Sequence, residues 1–271
     1  MGGILKAPFM KELVRTCGIM FRLGWNERNG GNISVIIDEG EAAKYLDTAV
    51  SLRNFDLSVD AAELEGRIFA VTRTGSYFRN VKTDPEYNLG LIRIGRGGKT
   101  ASLLWGFSGG GAPTSELSSH LRSHIARLRQ DKGHRVVTHC HAADTLAMTF
   151  VHSLDDRSFT RTLWKMMTEC IIVFPEGVGV LPWMICGNDE IGRATAEKME
   201  KYRICVWAQH GIFAAGNSLD EALGLIEAVE KAAGIYIKVM NSRILQSITD
   251  AELKTLAAAF GLAYRKDFLD P

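Results

Sequence analysis

The sequence predicts an α/β protein in which helices cover both faces of a mixed, largely antiparallel sheet. Short apolar runs typical of buried strands alternate with longer segments of helical periodicity. Two pairs of these runs, 91–94 with 101–107 and 204–209 with 212–215, are joined by turns too short for a crossover, so each pair is expected to be antiparallel. A doubly wound parallel sheet is therefore excluded, and a sheet between helices is the expected architecture.

The predicted elements follow one another along the chain with no repeat, low-complexity tract or obvious linker. Strands are predicted over 33–37, 68–72, 91–94, 101–107, 135–141, 170–175, 204–209 and 212–215. Helices are predicted over 9–23, from Pro113 to 129, over 143–150, around 158–167, from an Asn188 cap to 202, over 218–240 and over 249–260. We expect one domain over 1–271, with an N-terminal helical segment at about 1–25 and a variable surface excursion at about 40–66.

The composition excludes several broad classes of protein. A net charge of +1 provides no global field for nucleic acid or for a membrane surface. No apolar run approaches the ~18 residues that a membrane span needs. The five cysteines form no CxxC pair, which favours a reducing compartment over a disulfide framework. We therefore expect a cytoplasmic protein that binds neither nucleic acid nor membrane and holds any phosphate by local loops.

Two histidines on one predicted strand are the first candidates for a metal site. His139 and His141 are two residues apart, so their side chains project from the same face of the strand, while Cys140 points to the other face. Two imidazoles make half a zinc site, and His210, at a strand end followed by Gly211, is a suitable third ligand. A lone HxH pattern also arises often without any metal.

A competing cluster lies on the following helical segment. Glu116, His120 and His124 are spaced i, i+4, i+8 and form one row on a helix, where two histidines are able to hold zinc. Alternatively the row borders the apolar stripe of that helix. A zincin HExxH motif is absent, and His134 and His152, beside charged residues, are predicted at the surface.

Three loops have the composition of a phosphate cradle, with small hydroxyl or amide side chains and accessible backbone N–H groups. They are Asn29-Gly30-Gly31-Asn32, Thr74-Gly75-Ser76 and Pro113-Thr114-Ser115-Glu116. The third opens a helix, whose N-terminus attracts anions, although any one of the three alone is equally an ordinary turn. Glu116, in the predicted first turn, is a candidate general base and acid, with helix capping as the alternative.

These residues together resemble the class II aldolase and adducin family. The resemblance is carried by the HCH pair, the later QHG, the PTSEL segment and the NGGN loop. Longer stretches, GWNERNGGNIS, FRNV, LLWG, THCHA and TECIIVFPEGVGVLPWMICGNDEIG, resemble members that act on L-rhamnulose 1-phosphate, and the likeness runs from about residue 20 to 240. It implies a three-layer α/β/α fold and a C4 homotetramer with active sites between subunits. It also implies reversible cleavage of that sugar phosphate to dihydroxyacetone phosphate and L-lactaldehyde, through a metal-stabilised enediolate.

The resemblance assigns roles residue by residue. One zinc ion per subunit is assigned to His139, His141 and His210. Glu116 is the carboxylate that moves a proton at the enediolate carbon, and Glu169, in TEC, is similar to a second acid that reaches into a neighbouring subunit's site. The phosphate-binding positions are Asn29, Asn32, Thr74, Gly75, Thr114 and Ser115.

One position departs from the family's loop pattern, and other activities remain open. Arg73, before Thr74, either adds charge to the phosphate site or points to solvent. An L-fuculose-phosphate aldolase or a pentulose-phosphate 4-epimerase is expected to share the three histidines, so these do not discriminate. A non-catalytic adducin-like interaction module is the alternative of a different class; loss of metal ligands would mark it, and all three are present here.

Overall fold

A nine-stranded sheet forms the centre of the computed structural model, which describes residues 3–270. The strands are β1 (Asn32–Ile37), β2 (Arg53–Asp56), β3 (Ile68–Thr72), β4 (Leu89–Ile94), β5 (Thr100–Gly106), β6 (Val136–Cys140), β7 (Gly179–Leu181), β8 (Ile204–Trp207) and β9 (Gly211–Gly216). Their order across the sheet is β2-β5-β4-β3-β1-β6-β9-β8-β7. Among the strand pairs of residues 3–270, only the edge pair β7–β8 is parallel, and the predicted hairpins are formed by β4–β5 and β8–β9.

The α-helices pack around the strands, and most of them lie in the connections between strands. They are α1 (Pro8–Arg22), α2 (Glu39–Ala43), α3 (Phe78–Val81), α4 (Pro85–Asn88), α5 (Leu117–Gln130), α6 (Ala143–Val151), α7 (Asp156–Met166), α8 (Glu169–Val173), α9 (Asp189–Met199), α10 (Leu219–Val239) and α11 (Asp250–Ala259). As predicted, Asn188 caps α9, its side chain accepting the backbone N–H of Ile191. No helix within residues 3–270 combines the length and apolar character of a membrane span.

Helices on both faces of the sheet make three layers, as expected. Successive strand residues face opposite ways. Val35 of β1 and Cys140 of β6 lie in the larger core with α1, α6, α7 and α10. Ile36 of β1 and Val137 of β6 face the other side, where α5 and α9 cover the sheet. The predicted mixed, largely antiparallel sheet between helical layers is therefore confirmed.

The prediction of a strand over 170–175 is wrong. These residues form α8, which ends at Val173, and its neighbours are α7 and α10. Cys170 and Ile171 are fully buried, and the Cys170 thiol lies 3.9 Å from the carbonyl oxygen of Ala228 in α10. A short apolar run fits a buried helical turn as well as a strand, and packing between two helices decides in favour of the turn.

Two smaller predictions are also wrong. The helix expected from Pro113 begins at Leu117, because the backbone N–H of Thr114 instead donates to the carbonyl oxygen of Thr72, the last residue of β3. His134, expected at the surface, is only 4% exposed, and its Nδ1 accepts a hydrogen bond of 3.0 Å from Nε of Arg127. Charged sequence neighbours therefore do not predict exposure at His134.

The predicted excursion at 40–66 contributes to the sheet. It contains most of α2 and the whole of β2, which pairs antiparallel with β5 and forms one edge. Its turn of 3-10 helix at Ala62–Leu64 buries Leu64 in the core on the α5 side. The segment is therefore part of the domain's packing as well as of its surface.

One carboxylate ties the C-terminal helix to the rest of the domain. Asp250, the first residue of α11, pairs with Arg161 at 2.9 Å and Lys165 at 2.6 Å, and accepts the backbone N–H of Asp270 at 2.7 Å. Burial raises the pKa of the Asp250 carboxyl, but these donors outweigh burial and hold that pKa well below its usual value.

The antiparallel order brings several chain segments to one end of the sheet. Because β1 runs opposite to both β3 and β6, the start of β1 lies beside the ends of its two neighbours. Since β9 runs opposite to β6 and β8, its start and the turn before it lie there too. Asn32 pairs with His139 in this register. The polar residues singled out in the sequence are therefore gathered at this end.

Candidate active site

His139, in β6, presents a nitrogen that the protein leaves without a partner. Its ring is 1% exposed and stacks on Phe213 of β9, with the ring centroids 4.5 Å apart. Nδ1 lies 3.2 Å from the carbonyl oxygen of Ile212 and donates to it, so the lone pair is on Nε2. That Nε2 is buried and has no hydrogen-bond partner among residues 3–270. In folded proteins, a buried acceptor of this kind is satisfied by an ordered water or a bound ion.

His141 directly follows β6 and is fixed by a carboxylate. Its Nδ1 lies 2.7 Å from Oε1 of Glu27 and donates to it, which leaves Nε2 with a lone pair. The ring packs closely over Gly30, where a Cβ atom would lie 2.8 Å from Cε1 of His141. Cys140 is buried in the opposite core, so the predicted alternation of the HCH segment is confirmed.

His210 lies in the tight turn between β8 and β9. The preceding Gln209 has a φ of 56°, a conformation that residues other than glycine seldom adopt. Thr149 of α6 stabilises it: its Oγ1 accepts the backbone N–H of Gln209 at 3.0 Å, and its carbonyl oxygen accepts the side-chain amide at 3.0 Å. A Cβ atom at Gly211 would lie 2.6 Å from Cε1 of His139, so the turn requires glycine there.

The three histidines form a cluster suited to a metal ion. One ring nitrogen from each lies within 4.8 Å of the other two, as the sequence predicted. Burial, followed by the neighbouring imidazoles, lowers the pKa of His139 well below its usual value and that of His210 to about 4. Both rings are therefore neutral at pH 7, which is the form that binds a metal. Three imidazoles, one with an unpartnered buried nitrogen, fit a zinc-type ion.

The histidines of the competing row on α5 form hydrogen bonds with other side chains of the protein. His120 and His124 face β1, where the hydroxyl of Ser34 lies 2.7 Å from Nδ1 of His120 and 2.8 Å from Nε2 of His124. Both histidines are fully buried. Side chains of β1 therefore engage both ring nitrogens of His120 and Nε2 of His124.

Glu116 stands beside the histidine cluster and does not cap α5. Its side chain makes no capping hydrogen bond and instead accepts the side-chain N–H of Asn32 at 2.7 Å. Its carboxylate oxygens lie 3.6 Å from Nε2 of His139 and 3.8 Å from Nε2 of His210. Burial raises the pKa of Glu116, although the Asn32 hydrogen bond and the charge of His141 oppose it. A buried carboxyl with a raised pKa is suited to general acid–base chemistry near neutral pH.

The loops predicted to bind phosphate lie at the same end of the sheet. The second and third are joined by hydrogen bonds: the N–H of Thr74 donates to the carbonyl oxygen of Ala112 at 2.9 Å, and that of Thr114 to Thr72 at 3.0 Å. The hydroxyl of Thr114 accepts the N–H of Glu116 at 3.3 Å, which links these loops to the carboxylate. The exposed members of the set are Asn29, Thr74, Gly75 and Ser115, and the buried members are Asn32 and Thr114.

Two other predicted positions, within residues 3–270, form no hydrogen bond or ion pair with the three histidines. The Arg73 guanidinium lies over the ring of Tyr87, 3.6 Å from its centroid, and packs against Gly111, so it does not simply extend into solvent. Glu169 is exposed at the first residue of α8 and, within residues 3–270, forms no ion pair with the cluster.

Comparison with known proteins agrees with this site. The profile described as "Class II Aldolase and Adducin N-terminal domain" matches residues 11–237, most of the chain. The chain belongs to the class II aldolase and adducin family. Metal dependence is a property of class II aldolases, and the His139–His141–His210 cluster is the group within residues 3–270 that fits it.

Relatives of this class II aldolase cover nearly its whole length. The rhamnulose-1-phosphate aldolase of Listeria monocytogenes is 52% identical over 268 residues, 98% of each chain. The protein of the same name from Enterococcus faecalis is 48% identical over 98% of this chain and 96% of its own. The crystal structure of a sugar-phosphate aldolase from Thermotoga maritima has a TM-score of 0.74 at 27% identity, over 87% of this chain and 96% of that one.

Sequence reasoning missed the residues that support this class II aldolase's site. Glu27 orients His141, Thr149 holds the turn before His210, and Ser34 engages the two α5 histidines. Glu27 lies two residues before the Asn29-Gly30-Gly31-Asn32 loop, and this position is the only feature of the sequence that indicates a role for it in the site. Thr149 and Ser34 lie within regular elements and have no pattern that distinguishes them from other buried polar residues.

Proposed function

We propose that this chain is a zinc-dependent lyase that reversibly cleaves L-rhamnulose 1-phosphate to dihydroxyacetone phosphate and L-lactaldehyde. The observation that carries the proposal is the unpartnered Nε2 of His139, buried within a three-histidine cluster and 3.6 Å from the Glu116 carboxylate. Relatives named rhamnulose-1-phosphate aldolase, 48% to 52% identical over nearly the whole chain, support this substrate.

His139, His141 and His210 are the proposed zinc ligands. Imidazole nitrogens suit zinc, and three protein ligands leave a position open for substrate, as catalytic zinc sites require. A zinc ion bound there would supply Lewis-acid stabilisation of the negative charge that carbon–carbon cleavage leaves on the substrate. The Ile212 carbonyl and the Glu27 carboxylate support this role, because each fixes one ring so that its other nitrogen has a lone pair.

Glu116 is the proposed acid and base of the reaction. In the cleavage direction Glu169 accepts the proton of the hydroxyl that becomes the aldehyde oxygen, and Glu116 protonates the carbon of the dihydroxyacetone phosphate half. In the synthetic direction both proton transfers are reversed. The raised pKa caused by burial and the position of the carboxylate between two cluster histidines support this role. No lysine is needed for this chemistry, since no Schiff base is formed.

The loops around the cluster are the proposed site for the substrate phosphate. The positions are Asn29, Asn32, Thr74, Gly75, Thr114 and Ser115. Their hydroxyl, amide and backbone N–H donors suit an anion, and the hydrogen bonds between Thr74 and Ala112 and between Thr114 and Thr72 hold two of the three loops together. With a net charge of only +1, local donors of this kind are the appropriate means of binding a phosphate.

We further propose a cytoplasmic homotetramer in which Glu169 acts in a neighbour's site. The exposure of Glu169 supports this role, and so do large exposed apolar side chains such as Phe150, Trp183 and Leu245, which subunit contacts would cover. Free cysteines without pairing support a reducing compartment. Sedimentation of the purified protein tests the tetramer.

A subunit-mixing experiment tests the shared site. Glu116→Gln and Glu169→Gln chains are each expected to be almost inactive. If the two carboxylates of one site come from adjacent subunits, random reassembly restores about a quarter of the sites. Activity that fails to return after mixing, in tetramers shown to contain both chains, would place Glu169 outside the neighbour's site.

The rate of dihydroxyacetone phosphate formation from two sugar phosphates tests the activity itself. We expect faster cleavage of L-rhamnulose 1-phosphate than of L-fuculose 1-phosphate. Glu116→Gln should keep its zinc and lose about 100-fold or more in rate. Preference for L-fuculose 1-phosphate, or epimerisation of a pentulose phosphate without cleavage, would assign the chain to another activity of the family. Absence of any reaction, with no bound metal, would favour an interaction module.

A further inference from the structure

A continuous chain of buried side-chain hydrogen bonds leads from α5 back to Glu116. Nε2 of His124 lies 2.8 Å from the hydroxyl of Ser34, and that hydroxyl lies 2.7 Å from Nδ1 of His120. Nε2 of His120 contacts Oδ1 of Asn32, and Nδ2 of Asn32 contacts Oε2 of Glu116 at 2.7 Å. All five residues are at most 7% exposed. Of these five residues, the proposed reaction uses only Asn32 and Glu116.

Matched spacings of a strand and a helix make this chain possible. Asn32 and Ser34 are two apart on β1 and project from one face, about 6.6 Å apart along the strand. His120 and His124 are four apart on α5 and lie one above the other, about 6 Å apart along the helix axis. Because the two spacings are similar, each polar residue of the strand meets a histidine of the helix. This explains why the polar row on α5 is buried.

The chemistry of the partners fixes the direction of every hydrogen bond. An ionised carboxylate only accepts, so Asn32 must turn its NH₂ group towards Glu116 and its oxygen towards His120. That oxygen also only accepts, so Nε2 of His120 carries the proton and Nδ1 has the lone pair. The Ser34 hydroxyl therefore donates to Nδ1 of His120 and accepts from Nε2 of His124.

Burial keeps both histidines in the state that this direction requires. It lowers the pKa of His120 to about 3 and that of His124 well below its usual value. A neutral imidazole has one donor and one acceptor, so the hydrogen bond that Nδ1 of His120 accepts from Ser34 favours the tautomer whose Nε2 donates to Asn32. In a doubly protonated His120 ring, Nδ1 would carry a proton and would no longer accept the Ser34 hydroxyl.

We propose that His120 is a positioning residue that, through Asn32, holds the carboxylate of Glu116 against the histidine cluster, with Ser34 and His124 fixing the tautomer of His120. The inference rests on the proposed role of Glu116 in proton transfer. Without the His120 donor, the Glu116 carboxylate is the one remaining group of this hydrogen-bond network that selects the orientation of the Asn32 amide. A flipped amide would direct its oxygen at the carboxylate, replacing an attraction with a repulsion.

Solvent deuterium exchange into dihydroxyacetone phosphate measures the proton-transfer step without the aldehyde. We expect His120→Leu to keep its zinc and to lower this exchange rate by about 10- to 100-fold, the effect of one hydrogen bond to a charged group. His120→Gln, whose amide supplies both a donor and an acceptor, should restore most of the rate. Equal rates for His120→Leu and wild type, or equal losses in the Leu and Gln variants, would overturn the proposal.

A core truncation on the same helix separates positioning from general destabilisation. Leu128 is buried in the α5 core and belongs to neither the hydrogen-bond chain nor the proposed site. Leu128→Ala is expected to lower the melting temperature while leaving the exchange rate near that of wild type. If it slows exchange as much as His120→Leu does, the loss comes from the helix and the proposal is wrong.

The tautomer of His120 provides a readout that does not depend on the reaction. In protein carrying ¹⁵N-labelled histidine, we expect a protonated Nε2 and an unprotonated Nδ1 at His120. Ser34→Ala should shift this signal towards the other tautomer. The opposite tautomer in wild type would overturn the inference.

The same experiments separate failure of the inference from failure of the proposed function. If wild type does not exchange dihydroxyacetone phosphate, or Glu116→Gln exchanges at the wild-type rate, the proposed function fails. If Glu116→Gln is slow but His120→Leu is not, only the inference fails.

Discussion

Replacing Gly30 with alanine tests how tightly the chain holds its metal site. The added Cβ atom would lie 2.8 Å from Cε1 and 2.9 Å from Nδ1 of His141, whereas ordinary contact begins at 3.4 Å. The ring or the loop must therefore move by at least about 0.6 Å, which breaks the alignment between His141 and Glu27. Loss of such a supporting contact typically weakens metal binding by about 10- to 100-fold, or about 1.4 to 2.8 kcal/mol.

Competition with a chromophoric chelator at neutral pH measures this zinc affinity directly. Gly224→Ala is the matched control, because its Cβ atom would meet nothing within 4 Å on α10. That control should bind zinc like wild type and gain about 0.5 to 1 kcal/mol of stability. A Gly30→Ala variant with wild-type zinc affinity would refute the assignment of His141 as a ligand held by this packing.

Three further predictions follow from side chains that support the site or the fold. Glu27→Gln should weaken zinc binding by about tenfold while leaving the melting temperature nearly unchanged, because it removes the charged partner of His141; wild-type affinity would contradict this. Thr149→Val removes the acceptor for the backbone N–H of Gln209, so calorimetry should show a loss of about 1 to 3 kcal/mol and chelator competition a weaker zinc site; an unchanged variant would contradict the role of this contact. Asp250→Asn should lower the melting temperature at pH 7 by about 2 to 4 °C, since solvent screening limits its ion pairs to about 1 kcal/mol. Because the folded-state pKa of Asp250 is depressed, its contribution to stability is present above the unfolded pKa of about 4 and is lost as pH falls. The melting temperatures of wild type and Asp250→Asn should therefore converge at acid pH. A difference in melting temperature that stays constant with pH would contradict this expectation.

The sequence was most informative where one local pattern determines one geometry. Alternation along a strand placed His139 and His141 on one face and Cys140 on the other, and the structure agrees. The hairpin of β8 and β9 similarly follows from two short apolar runs with no room for a crossover, although β8 ends at Trp207, two residues before the predicted end at 209. These features depend on residues close together in the chain, which is why they were predictable.

Features that depend on distant partners were not predictable from local patterns. The run 170–175 has no periodicity that separates a strand from a helical turn, and its burial between α7 and α10 decides the matter. The His120–His124 row was correctly identified as one face of a helix, but a helical spacing does not say what that face meets. Its partner is Ser34, 86 positions from His120 in sequence, and only the sheet order brings them together.

Metal dependence of cleavage tests the central claim most directly. Lactaldehyde release from L-rhamnulose 1-phosphate is measured on one sample as purified, after complete removal of metal by a chelator, and after zinc is added back. We expect activity to disappear with the metal and to return as about one zinc ion binds per subunit, and we expect His139→Ala to recover neither zinc nor activity. Full cleavage by the metal-free protein would contradict the assignment of the three histidines and the mechanism built on them.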